Sequence, residues 1–415
     1  MQKDMFSSLS IMGLRVSMLA SKILLSIFIA RYIGLDTLGI YGLIVSTAGM
    51  LQIVLRFGIF DTISREAVNQ NFKELTLNIR NYGIGVLFCY MALIPITLLV
   101  GWYFDNQKLS IFILIIILIE HISYDVFILI NNLQRPKLAN IILSIQSASW
   151  IYLFITLAFF IPDLRNLQTM ILFWVCAGII SITISLALAH NWPWASAFSQ
   201  KLQRKWYRQY FKMSWKLYLS ATMSSITMYT DRYFISIFLS LELVGVYVLY
   251  SQIINAISNL VGAGVLQVYR PRLILEYSKE NGLTRFQKIF KKAFLSSQGW
   301  AIILSLLSAI IFPFIAKYIE NPMVENYLPL LWLMIAALLF RIANDLFSLG
   351  AHSQKKDALN LKAGAMRLTL FLILTPIALN LWGIYGTVII AFIVFITSVI
   401  YINKHLWIYT DNNKI

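Results

Sequence analysis

With 415 residues of which 59% are hydrophobic, 14% aromatic and only 13% charged, and a mean hydropathy of +0.74, the chain falls outside the composition of soluble globular domains. It reads as an all-α polytopic membrane protein. The formal net charge of +16 would point to nucleic acid in a soluble protein, but in a membrane chain the placement of the cations between spans matters more than their sum.

Apolar stretches long enough to cross a bilayer occur at 10–33, 38–60, 82–102, 110–130, 138–161, 169–190, 213–238, 243–267, 293–315, 327–350, 358–381 and 383–403. Twelve transmembrane helices are therefore expected. No small-residue cleavage site follows the first, which reads as a retained helix rather than a removed signal peptide. Cys89 and Cys176 both fall inside apolar runs, so no disulfide framework is indicated. Pro95, Pro313 and Pro376 lie within spans 3, 9 and 11, where each removes a backbone hydrogen bond.

With the N-terminus placed in the cytoplasm, the inner loops, from Lys3 to Lys414, hold twenty-two Lys and Arg residues, and the outer loops hold four: Arg31, Lys108, Arg165 and Lys317. This positive-inside bias alternates in phase with twelve spans and puts both termini in the cytoplasm. The expected organisation is an N-terminal lobe of six spans over residues 1–190, a basic interfacial cytoplasmic linker over 191–212, and a C-terminal lobe of six spans over 213–415. Two inner segments, KLQRKWYRQYFK at 201–212 and LTRFQKIFKKAF at 283–294, mix cations with aromatic residues in the manner of helices that lie on anionic lipid.

The two halves echo each other. GLDTLGIYGL at 34–43 matches SLELVGVYVL at 240–249 with an offset of 206, and HISYD at 121–125 matches RIAND at 341–345 with an offset of 220. Each match joins spans six apart, so the halves would share one in-out direction and be related by an axis along the membrane normal.

Ionisable residues inside the spans are the functional candidates, because a charge in hydrocarbon costs at least about 2.5 to 3.5 kcal/mol unless it faces protein or water. Lys22 sits roughly 18 Å into the first span at 1.5 Å per residue, near the midplane. Lys22, Arg341 and Arg367 are deep enough to serve an internal cavity. Arg15, Arg56 and Lys362 lie within two turns of the cytoplasmic end, where both snorkelling and guiding an anion inward are open to them. The carboxylates Glu120, Asp125, Asp231 and Asp345, with His121, are candidates for binding a coupling proton or sodium ion. His121 and Asp125, like Arg341 and Asp345, are spaced four apart and share a helix face. Lys and Arg outnumber carboxylates in the spans by eight to four, a balance suited to an anionic group such as pyrophosphate.

IARYIGLDTLGIYGLIVSTAGMLQIVLRFGIFDTISREA at 29–67 and TDRYFISIFLSLELVGVYVLYSQI at 230–253, together with the twelve-span layout, resemble the polysaccharide-transporter branch of the multidrug/oligosaccharidyl-lipid/polysaccharide exporter superfamily, of the Wzx O-antigen flippase kind. The resemblance implies two six-helix lobes around a central cavity that opens alternately to either side. It further implies translocation of an undecaprenyl-pyrophosphate-linked oligosaccharide, an O-antigen or lipopolysaccharide repeat unit, to the outer leaflet of a bacterial inner membrane. Cavity cations would contact the pyrophosphate, and the implied partners are that lipid-linked cargo, membrane lipids and other polysaccharide assembly proteins. Related lipid II flippases usually carry two further helices, so a cargo other than the peptidoglycan precursor is expected.

Two other functions compete. An ion-coupled multidrug exporter on the same scaffold would favour acidic rather than basic spans. A membrane polysaccharide polymerase or ligase would be an enzyme with a sizeable outer loop, and no outer loop exceeds about a dozen residues. No nucleotide-binding loop, metal cluster or triad spacing is present, so neither an enzyme nor a bound cofactor nor a nucleic-acid partner is expected.

Overall fold

The computed structural model describes residues 2–67, 71–103, 105–202, 204–279 and 282–407, with side chains from residue 10 onward. The Lys3 side chain and Lys414 lie outside the described residues. Every regular element among them is helical: α1 (Gln2–Tyr32), α2 (Leu35–Val54), α3 (Ile59–Glu66), α4 (Phe72–Tyr103), α5 (Gln107–Asn132), α6 (Pro136–Phe160), α7 (Leu167–Leu188), α8 (Trp194–Phe198), α9 (Arg204–Phe238), α10 (Leu241–Tyr277), α11 (Gly282–Ile319), α12 (Pro322–Asn326), α13 (Leu328–Ser353), α14 (Asp357–Trp382) and α15 (Ile384–Leu406).

Eleven of these helices are long and apolar enough to span a membrane. The remaining expected span, 213–238, is the C-terminal part of the 35-residue α9. Lys216, Asp231 and Arg232, with several Ser, Thr and Tyr residues, lower its mean apolarity while leaving the helix unbroken. Both basic aromatic segments open long helices, since 204–212 is continuous with the rest of α9 and 283–294 with the rest of α11. Helix starts follow side-chain caps: Asn106 accepts from the Leu109 N–H at 3.2 Å, Asn166 from Thr169 at 2.8 Å and Ser240 from Leu243 at 3.2 Å. Helices α4, α11 and α14 run through Pro95, Pro313 and Pro376.

The second span ends earlier than its hydropathy suggests, at Val54 instead of residue 60. Phe57 and Gly58 take left-handed φ angles of 51° and 65°, which stops the helix and turns the chain into α3. A Cβ on Gly58 would lie 3.1 Å from the Cβ atoms of both Ser214 and Tyr218, and the Ser214 hydroxyl donates to the freed Phe57 carbonyl at 3.0 Å.

Two compact units are present. One comprises the chain up to Phe28 and Leu43–Ser225; the other comprises Ile29–Gly42 and the chain from Ile226 onward. In the first, α3, α4, α5 and α9 meet around Ile59, Phe60, Ile63, Leu75, Tyr82 and Tyr210. The aromatic face at the start of α9 is taken up here: Trp206 donates to Asn78 at 2.8 Å, Tyr207 to the Asn81 carbonyl at 2.6 Å and Tyr210 to Glu66 at 2.8 Å. In the second, α10, α11, α13 and α15 close around Leu273, Phe286, Phe290, Leu346 and Ile402, with the Phe290 ring 5.0 Å from Phe347 and 5.4 Å from Trp407. Exposed apolar residues such as Phe88 and Leu99 on α4, or Ile310 and Phe314 on α11, are the surfaces left for lipid.

In the second unit the two copies of the first repeated segment approach closely at their glycines. A Cβ on Gly39 would stand 2.2 Å from the Leu241 carbonyl oxygen, and one on Gly245 would stand 2.0 Å from that of Leu35. The sequence offset of 206 carries Leu35 to Leu241 and Gly39 to Gly245, so the contact is reciprocal and the two copies of the repeated segment meet about a local two-fold relation. Gly42 and Val248, also equivalent under that offset, touch each other at its centre, with 2.2 Å between a Gly42 Cβ and Val248 Cγ2. Only glycine permits such contact.

These geometries separate two kinds of substitution. Gly39→Ala and Gly245→Ala drive a methyl into backbone and are expected to cost about 1 to 3 kcal/mol each, seen as a lower thermal midpoint in detergent. Gly42→Ala meets only a side chain, so Val248→Ala should restore most of its loss in a double-mutant cycle, whereas Val248→Ala should leave the Gly39→Ala loss unchanged.

Candidate functional site

The α2–α3 break places Arg56, 4% exposed, against α5. Its Nε and Nη2 both donate to Asp125 Oδ1, at 2.8 and 2.7 Å, its Nη1 lies 3.6 Å from Asp61, and its guanidinium stands 4.5 Å from the Tyr124 ring centroid. Burial pushes the Asp61 carboxyl, on the short α3, above the usual carboxylate range, and Arg56 opposes that rise. Asp125 is held from its other oxygen by the Tyr82 hydroxyl at 2.7 Å.

The same Tyr82 oxygen lies 2.7 Å from His121 Nε2, and the Tyr90 oxygen lies 3.2 Å from His121 Nδ1. Tyr82 spends its hydrogen on Asp125, and Tyr90 can spend its own on the Ile117 carbonyl at 3.2 Å. Both ring nitrogens of His121 are thus within hydrogen-bond reach of a tyrosine hydroxyl. His121 and Asp125, one helical turn apart, lie 3.3 Å from each other. The unit therefore holds a closed set of Arg56, Asp125, Tyr82, His121 and Tyr90, all buried.

Glu120 points from α5 to a different set of partners. Trp174 Nε1 donates to it at 2.8 Å, Gln146 Nε2 also donates to it, and Lys22 is close enough to act on its charge. Gln146 lies on a π-helical turn, Ile145–Ser149, within α6, a local widening that is frequent at functional sites. Trp174 stacks on Trp150 with centroids 5.6 Å apart. Lys22 itself is exposed, and Arg15, two turns earlier on α1, donates to Asn140 at 3.2 Å.

In the second unit the charges alternate. Arg341 on α13 donates to Asn255 on α10 at 3.0 Å and acts electrostatically on both Asp231 and Asp345. Arg367 on α14 donates to Asn344 at 2.7 Å and also acts on Asp345. Asn344 accepts in addition from Ser398 on α15 at 2.7 Å and donates to Asp345 at 3.4 Å. Asp231 accepts from the Tyr247 hydroxyl at 2.5 Å and from the Arg232 N–H at 2.8 Å. Arg341 and Asp345, although one turn apart, are linked through this wider set and not by a direct hydrogen bond between them. Lys362 is exposed on α14.

Apart from the exposed Lys22 and Lys362 and from Arg56, which faces Asp125 and Asp61, the charged candidates meet polar side chains that carry no charge: Tyr82, Tyr90, Asn140, Gln146, Trp174, Tyr247, Asn255 and Asn344. Among the described residues no group of three or more His, Cys, Asp or Glu is placed to hold a metal ion.

The family model described as "Polysaccharide biosynthesis protein" matches residues 5–275. No curated protein matches the chain. Among solved structures, the inward closed form of the lipid II flippase MurJ superposes with a TM-score of 0.73 at 14% identity, over 98% of this chain and 88% of that one. An inward-facing multidrug resistance MATE family transporter of the MOP superfamily gives 0.70 at 12% identity, over 95% and 97%. A mutant of the Vibrio cholerae MATE transporter VcmN gives 0.57 at 15% identity, over 97% and 96%. At these identities the likeness is one of fold, and the fold is that of transporters and a lipid flippase. The family match covers well over half of the sequence, and the chain belongs to the polysaccharide biosynthesis protein family.

Proposed function

We propose that the protein is a flippase that carries an undecaprenyl-pyrophosphate-linked oligosaccharide from the cytoplasmic to the periplasmic leaflet of a bacterial inner membrane, with both termini in the cytoplasm. The observation that carries the reading is the cluster in the second unit, where Arg232, Arg341 and Arg367 outnumber Asp231 and Asp345. A surplus cation in a membrane-embedded polar cluster favours an anionic head over a cationic drug. Family membership supports a polysaccharide precursor as cargo, and the positive-inside loops support the orientation.

Arg341 and Arg367 are the principal contacts for the anionic head. Their present hydrogen-bond acceptors, Asn255 and Asn344, are neutral, so exchange for phosphate oxygens strengthens the bonds. Lys22 is the exposed deep cation of the first unit. Arg56 is already committed to Asp125 and Asp61, which suits it to hold the α2–α3 turn, and Arg15 and Lys362 remain candidates for guiding the head inward. An O-antigen or similar repeat unit is the oligosaccharide proposed.

Replacing Lys22 or Arg341 by Ala should abolish surface polysaccharide in a deletion strain while the protein remains in the membrane, with lipid-linked repeat units accumulating at the inner leaflet. Normal polysaccharide from both variants would remove the assignment, and unchanged polysaccharide but lost drug resistance on deletion would favour the multidrug exporter.

Coupling is proposed at His121, whose two ring nitrogens lie within reach of the Tyr82 and Tyr90 hydroxyls. In vesicles, collapsing the pH gradient should slow flipping by the natural protein several-fold and leave His121→Gln, slow from the outset, unaffected. Dependence on sodium alone would transfer the coupling role to Asp231 or Asp345.

A further inference from the structure

The first unit contains an apolar groove that none of this uses. It encloses about 430 Å³ between α4, α5 and α7, within the size range of small-ligand sites. Its walls are aliphatic, from Ile122, Val126 and Ile130 on α5 to Ile182 and Leu186 on α7, and Arg135 is its single charged residue. A second recess of about 370 Å³ adjoins it, sharing Arg135 and Leu138 and adding Lys137. No acidic residue lines either space, and the Arg135 and Lys137 side chains are exposed at the start of α6, whose first turn has no side-chain cap.

The groove lies at the ends of its membrane helices: α4 begins there, and α5 and α7 finish there. Trp192 and Trp194, stacked 6.1 Å apart, form its rim, with Trp194 anchored to the Ala189 carbonyl at 2.8 Å, as indoles are placed at headgroup level. The walls are apolar, so a hydrocarbon chain is the fitting occupant. Burial of that chain does not distinguish one lipid from another, because surrounding lipid is equally apolar. The selection comes from the head, and two uncommitted cations at the mouth select an anion.

We infer that this groove is a binding site for an anionic glycerophospholipid, with one acyl chain along α5 and α7 and the phosphate at Arg135 and Lys137. None of the ionisable groups assigned to cargo or coupling lines it.

The inference is tested in nanodiscs with a phosphatidylglycerol that carries a photoactivatable group on its acyl chain. Labelled peptides should fall on 122–133 and 182–189. Unlabelled phosphatidylglycerol should compete and phosphatidylcholine should not. Arg135→Gln with Lys137→Gln, both at exposed positions, should weaken labelling about tenfold, and Ser185→Phe should block it by filling the groove. Equal competition by phosphatidylcholine, labelling unchanged in the double Gln variant, or stronger competition by a polyprenyl phosphate would each overturn it. Loss of flipping in the Lys22 or Arg341 variants with labelling retained would separate this site from the transport site.

Discussion

A charge in hydrocarbon persists only where protein or water answers it, and that constraint orders both units. Arg56 is tolerated because Asp125 and Asp61 face it, Glu120 because two side-chain N–H groups and Lys22 do, and Asp345 because two arginines and Asn344 do. Breaking such a set by removing one member leaves a buried charge unanswered, which costs more than the pair contributed when intact. The polar residues around the charges are therefore as constrained as the charges themselves, and they fix which faces of α5, α10, α13 and α14 turn inward.

Once those faces are set, close helix approach becomes a matter of side-chain size. Lipid supplies no hydrophobic force between helices, so packing depends on how near the backbones come. The repeated segment solves this with glycine at one position in each copy, and the solution is used reciprocally: Gly39 against Leu241, Gly245 against Leu35. A duplicated sequence that packs on its own copy has to satisfy the same steric rule twice. This accounts for a glycine at both 39 and 245, whereas Thr37 and Gly42 are answered by Leu243 and Val248.

The long apolar helices were legible in the sequence because length and hydropathy are additive along the chain, with α9 short of the apolarity of the other eleven. The end of α2 was not, since VLRFGIF remains apolar through the turn and only the left-handed pair Phe57–Gly58 marks it. Nor were the neutral partners. Tyr82, Tyr90 and Trp174 look like ordinary aromatic filling in apolar runs, and Asn344 gained notice only as the neighbour of Asp345. A hydrogen-bond role in a membrane helix depends on what stands across from a residue, information that periodicity along one helix does not carry.

Helix α5 shows how one element serves two chemistries. His121 and Asp125 occupy one stripe, and Ile122, Val126 and Leu129 occupy a stripe about 100° around the axis, facing the apolar groove. The polar stripe needs exclusion of water for its ion pair to hold, and the apolar stripe needs a filler for the same reason. The two stripes share one helix, so the residues that hold the ion pair and those that line the groove are placed by the same turns of α5.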